Sequence, residues 1–211
     1  MTTQVAVGRE VLLRRAWLLA MFTVVWNLAE GAVAITAAML AGSRALIGFG
    51  VDSFVESASA TVLMWRLRVE QRSPDRAEQV ERQALRIIGV TFLALAVLVG
   101  VESIRSLAAG DQPDVSRTGI VLTIVSLIVM PVLAREKRRV GRDLGARSVE
   151  ADSQQTQACV YLSAVVLTGL VANAAFGWWW ADPLAALGVV AFLVHEGREA
   201  LEAKHVDDCC G

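Results

Sequence analysis

Apolar residues gather into six stretches along the chain, at about residues 13–39, 45–65, 84–109, 119–134, 158–180 and 183–194, with short polar segments between them. Several approach the ~20 residues that a helix needs to cross a bilayer. The pattern predicts an all-α, polytopic membrane protein of six transmembrane helices, the last completed by amphipathic turns through about Leu201. The predicted organisation is an N-terminal arm at 1–12, a helical bundle at 13–203 and a short tail at 204–211. Arg14 and Arg15 before an apolar run imitate a signal peptide, but that run is too long for the apolar core of one and five more spans follow it.

The informative positions are the polar ones that interrupt the apolar stretches. Asp52 and Glu56 stand in the second, in GFGVDSFVES, at a spacing of i and i+4 that puts both on one helix face. Carboxylates inside a membrane segment are costly and rare, so a pair on one face marks a functional site by default. Helix one carries Asn27 and Glu30 on one face, and either an interior partner or a pairing with Arg or a headgroup satisfies Glu30. Gly31 and its alanine neighbours favour close approach of another helix.

In helix five, Asp152, Gln155 and Cys159 follow at i, i+3 and i+7, again one face. They read either as polar groups that join membrane helices or as a second polar face that meets Asp52 and Glu56. Glu102 and Arg105 read as an interfacial pair near the outer end of helix three. Pro131 is expected to kink helix four. Trp178, Trp179 and Trp180 form an interfacial anchor, and Asp182-Pro183 reads as the cap and first residue of helix six.

Composition agrees: 55% of the 211 residues are hydrophobic and 19% charged, with a mean hydropathy of +0.51. A net charge of -1 and no basic tract on a soluble domain argue against a nucleic-acid partner; the solvent of most of this surface is the lipid bilayer. Seventeen of the twenty Lys and Arg fall in the arm, the segments joining helices two to three and four to five, and the tail, against Arg44, Arg105 and Arg117 on the other side. That bias places both termini in the cytoplasm, and in a bacterium the membrane is the inner one. The segment 66–86 reads as a solvated charged loop with a turn and helix start at Ser73-Pro74-Asp75, and REKRRVGRDLG as a topological anchor. Three cysteines make no disulfide framework. In the tail, His205, Asp207, Asp208, Cys209 and Cys210 read either as a disordered polar end or as a soft or mixed metal-capture site.

The ordered set NLAEGAVAI, GFGVDSFVES, the basic segment before helix five, ADSQQTQACVYLS and DPLAAL resembles the transmembrane domain of the cation diffusion facilitator family, over roughly residues 14–201. The resemblance implies a divalent cation, usually zinc, held at mid-membrane by two side chains of helix two and two of helix five and exchanged for protons. By position these are Asp52, Glu56, Gln155 and Cys159, where the family usually has His and Asp at the last two. Asn27, Glu30 and Asp152 are candidate accessories. A thiolate ligand favours zinc, cadmium or copper(I), whereas an amide is a weak one.

The expected activity is export of a divalent metal, Zn2+ first, by proton antiport, with no cofactor. Family dimers imply a homodimer, although the soluble C-terminal domain that many members use for it is not expected here. A non-transporting scaffold with a degenerate site is the alternative. No His-Glu-x-x-His or Gly-x-Ser-x-Gly motif is present, so no enzyme is expected.

Overall fold

A computed structural model describes residues 2–41, 44–110 and 117–202. Six long helices account for nearly all of them: α1 (Thr2–Ala41), α2 (Arg44–Arg72), α3 (Ala77–Ala109), α4 (Arg117–Leu144), α5 (Arg147–Phe176) and α6 (Ala181–Glu202). Among the described residues five are long and apolar enough to cross a membrane; α6, expected as a sixth span, is not one of these five. Large apolar side chains such as Val25, Val97 and Ile128 point outward while carboxylates and amides point inward, the arrangement a lipid solvent demands.

The helices pack as three intimate pairs, α1 with α2, α3 with α6 and α4 with α5, and glycine lies in each contact. A Cβ on Gly31 would sit 3.0 Å from the Gly50 carbonyl oxygen and the Phe54 ring, as the small-residue patch of helix one predicts. A Cβ on Gly89 would lie 2.8 Å from Leu201 Cγ and 3.0 Å from the Gly197 oxygen, which seats α6 against α3.

Several expected boundaries move. Residues 2–12 of the expected arm are helical and continuous with α1, and the segment expected as a solvated loop after helix two is mostly helix. The α2–α3 connection is Ser73 and a single 3-10 turn, Pro74–Arg76, with the Arg76 N–H donating to the Ser73 carbonyl at 3.0 Å. Helix four runs unbroken through Pro131. Helix six begins before the expected cap, because the Leu184 N–H donates to the Trp180 carbonyl at 3.2 Å and leaves Asp182 and Pro183 inside the first turn. Helix five ends at Gly177, which adopts φ +69°, a left-handed conformation that glycine takes without strain. Trp178 then stacks between Phe176 and Trp180, half-exposed at the end of the bundle.

The tail from 203 onward, with His205, Asp207, Asp208, Cys209 and Cys210, lies outside the described residues.

Candidate metal centre

Four helices change character in register. Along α1, buried Leu13, Ala16 and Ala20 give way to Thr23, Asn27 and Glu30 and then to Ala34, Ala37 and Ala38. In α2, Leu46 and Phe49 precede Asp52, Ser53, Glu56 and Ser57, and Leu63 and Leu67 follow. In α4, Met130 and Leu133 precede Lys137, with Val140 and Leu144 beyond. In α5, Ala146 and Val149 precede Asp152, Gln155 and Thr156, and Cys159, Val166 and Leu170 follow. The apolar residues on either side form two separate clusters. A polar layer is therefore sealed between two apolar ones, and none of its side chains reaches lipid.

All four positions carried over from the family pattern, Asp52, Glu56, Gln155 and Cys159, are fully buried in or at the edge of this layer. The Cys159 thiol lies beside Asp52, and the Glu30, Asp52 and Glu56 carboxyls are electrostatic neighbours. Asn27 faces Glu56. Ser53 Oγ donates to Glu30 Oε2 at 3.1 Å, bridging α1 and α2. Both oxygens of Asp52 and of Asp152, Oε2 of Glu56, Oε1 of Glu30 and both amide atoms of Asn27 and Gln155 make no hydrogen bond of regular geometry within the protein. Buried polar atoms are almost always satisfied, at a penalty of about 1–3 kcal/mol each when they are not. These oxygens and amides gather in the one layer between the two apolar clusters.

Asp152, a candidate accessory, is committed elsewhere. Its Oδ2 lies 2.7 Å from Nζ of Lys137, a side chain only 1% exposed. Lys137 was hidden in the basic segment read as an anchor, among Arg135, Arg138 and Arg139. Its phase could have singled it out: Ser126, Met130, Leu133, Ala134, Val140, Gly141 and Leu144, the buried stripe of α4, recur at helical spacing through position 137.

Two further sets of charges were not anticipated. Arg66, buried, pairs with Glu70 and Glu81, and Arg9 reaches Glu70 from α1. In the C-terminal half of α6, ligand atoms of His195, Glu196 and Glu199 lie within 4.8 Å of one another on an open surface. Among the described residues Asp52, Glu56 and Cys159 do not converge that tightly. Glu102, expected in an interfacial pair, lines a mostly apolar cleft between α2, α3, α5 and α6.

The long apolar helices, packed around a buried polar layer, are those of an integral membrane protein. Residues 20–203 match the cation efflux transmembrane domain, and the chain belongs to that family. It is 29% identical over 164 residues to an uncharacterized transporter, sll1263, of Synechocystis, covering 75% of this chain and 51% of that protein. It is 24% identical to the cation-efflux pump FieF of Shewanella oneidensis, over 81% of this chain and 58% of the pump. A third relative is the magnetosome protein MamB of Magnetospira, 26% identical over 76% of this chain and 56% of MamB. The chain thus spans a little over half the length of these curated relatives.

Proposed function

We propose that the chain is a carrier that exports a divalent metal cation from the cytoplasm in exchange for protons, with Asp52, Glu56 and Cys159 as ligands. Gln155, Asn27 and Glu30 lie in the same layer and supply weaker or accessory contacts. The observation that carries this reading is the set of buried oxygens on Asp52, Glu56 and Glu30 that the protein itself leaves unpartnered. Two carboxylates with a thiolate suit zinc or cadmium better than magnesium or calcium, which prefer oxygen alone. Each ligand must be deprotonated to bind, so binding releases protons, and that linkage is the chemical basis of antiport. The relatives named as a transporter and as a cation-efflux pump support the activity.

The concentration of Lys and Arg at one end of the bundle supports cytoplasmic termini in a bacterial inner membrane. A homodimer and the absence of any enzymatic step are part of the same reading. The ligand atoms of Asp52, Glu56 and Cys159 are not drawn together as a set, which favours a second reading, a scaffold whose cation site has been lost.

Zinc and cadmium flux into vesicles containing the purified protein separates the two. Unaltered protein carries metal against a pH gradient, and Asp52→Ala or Glu56→Ala stops it. Equal flux in both variants would sink the site; no flux and no zinc binding in unaltered protein would favour the scaffold.

A further inference from the structure

Lys137 is the only cationic side chain that the described residues bring into the polar layer. Its contacts converge on one atom. The ammonium is anchored by Asp152 Oδ2 at 2.7 Å and donates to Thr156 Oγ1 at 2.8 Å. The Thr156 hydroxyl, having accepted that bond, has two acceptors in reach for its own single proton, Glu56 Oε1 at 2.5 Å and the Asp152 carbonyl at 3.2 Å, and the shorter contact favours Glu56. Lys137 Nζ itself stands 3.9 Å from the same oxygen. Oε1 of Glu56 is thus held by a hydroxyl and a positive charge, while Oε2 has no partner.

We propose that Lys137 and Thr156 form a clamp on Glu56 that occupies one carboxylate oxygen and presents only the other to the transported cation. The proposal rests on the reading of Asp52, Glu56 and Cys159 as the cation site. Lys137 is a positioning residue that acts through Thr156, and Asp152 is its anchor rather than a metal ligand. The consequence is selectivity. A carboxylate limited to one oxygen suits a small, four-coordinate cation such as zinc, whereas a free carboxylate can chelate with both oxygens and so accommodates larger cations with more ligands. The clamp also spares the layer an unpaired ammonium, since Lys137 and Asp152 enter it as an ion pair.

The test is cobalt(II) absorption and zinc–cadmium competition on the purified full-length protein in detergent, with Thr156→Val, Thr156→Ser and the double variant Lys137→Met/Asp152→Asn. Four-coordinate cobalt absorbs strongly in its d–d region and cobalt of higher coordination number weakly. The clamp predicts strong bands in unaltered protein and in Thr156→Ser. It predicts weak bands in Thr156→Val and in the double variant, with the affinity ratio moved about tenfold toward cadmium, a change that the ligand number can account for. Thr156→Val is close to isosteric, and Thr156→Ser and the double variant keep the question open to measurement should Val prove unstable. Cobalt bound with the same spectrum and the same zinc–cadmium ratio in Thr156→Val and the double variant overturns the clamp alone. Failure of unaltered protein to bind cobalt, or binding unaffected by Asp52→Ala, overturns the cation site and the clamp with it.

Discussion

Two groups of buried charge lie in this bundle, and they differ in how they are partnered. At the basic end, Arg66 of α2 stands between Glu70 and Glu81, and Arg9 adds a second cation to Glu70. Glu81 accepts from the Ser148 N–H at 2.6 Å and from Ser148 Oγ at 2.7 Å. It thereby caps α5, whose own N-cap residue, Ala146, has no side chain for the purpose. Arg9 also donates to the Leu144 carbonyl at 3.4 Å, so one network ties together the ends of five helices. In the polar layer three carboxyls, Glu30, Asp52 and Glu56, meet a single cation, Lys137, which Asp152 already neutralises. Burial of charge therefore does not by itself distinguish scaffold from site. The balance of partners does: the first group is closed on itself, and the second has ligating atoms to spare.

The difference is exposed most sharply by removing one member of each group. Asp52→Ala or Glu56→Ala is expected to lower metal affinity by at least about a hundredfold, since loss of even an indirect supporting group costs about 10–100-fold. Thermal stability in detergent should not fall in Asp52→Ala, where an unpartnered buried carboxyl disappears, whereas Glu56→Ala should lower it because Thr156 and Lys137 lose the oxygen they hold. Arg66→Ala should do the reverse. It leaves Glu70, 5% exposed, without its main partner, and a loss of about 3 kcal/mol in unfolding free energy is expected, the lower part of the range for a broken buried pair because Glu81 is partly solvated. Zinc affinity measured on the still-folded fraction should stay within about threefold, there being no contact between this network and the acidic layer.

Lys137 and Asp152 offer an intermediate case. Lys137→Met strands Asp152 and should destabilise by about 3 kcal/mol, whereas Lys137→Met/Asp152→Asn should recover most of that loss in the same denaturant titration. The smallest effect is expected at the helix-five positions. Cys159→Ser should weaken cadmium binding by about tenfold and zinc binding by less, because the soft thiolate contributes most to the softer ion. Equal losses for both metals would remove Cys159 from the ligand set.

Much of this contrast is legible in the amino-acid sequence, and the illegible part has a common cause. The apolar stretches announce six helices, and the spacing of Asp52 with Glu56 and of Asp152, Gln155 and Cys159 places each set on one buried face. Hydropathy misjudges where helices end, because it treats every Arg and Glu as a visitor from the solvent. Arg66, Glu70 and Glu81 lie in helical segments read as a loop, and only their mutual pairing across α2 and α3 makes burial affordable. Lys137 escaped for the same reason: in a run of basic residues composition conceals the one whose helical phase points inward. The role of Asp152 followed it, since an anchor is recognised only once its cation has been found. The sixth helix is present as expected, but among the described residues it is not one of the five candidates to cross a membrane. Its apolar face is spent against α3 around Gly89 and Gly197, and His195, Glu196 and Arg198 shorten the apolar run.

The central claim is that the orphaned oxygens of Asp52 and Glu56 await a metal. Equilibrium zinc binding by the purified full-length protein, compared with Asp52→Asn/Glu56→Gln, tests it most directly, because these amides keep the shape of the layer and remove its charge. The account predicts that the double variant binds one zinc ion fewer per chain than the unaltered protein. The same stoichiometry and affinity in both proteins would contradict it.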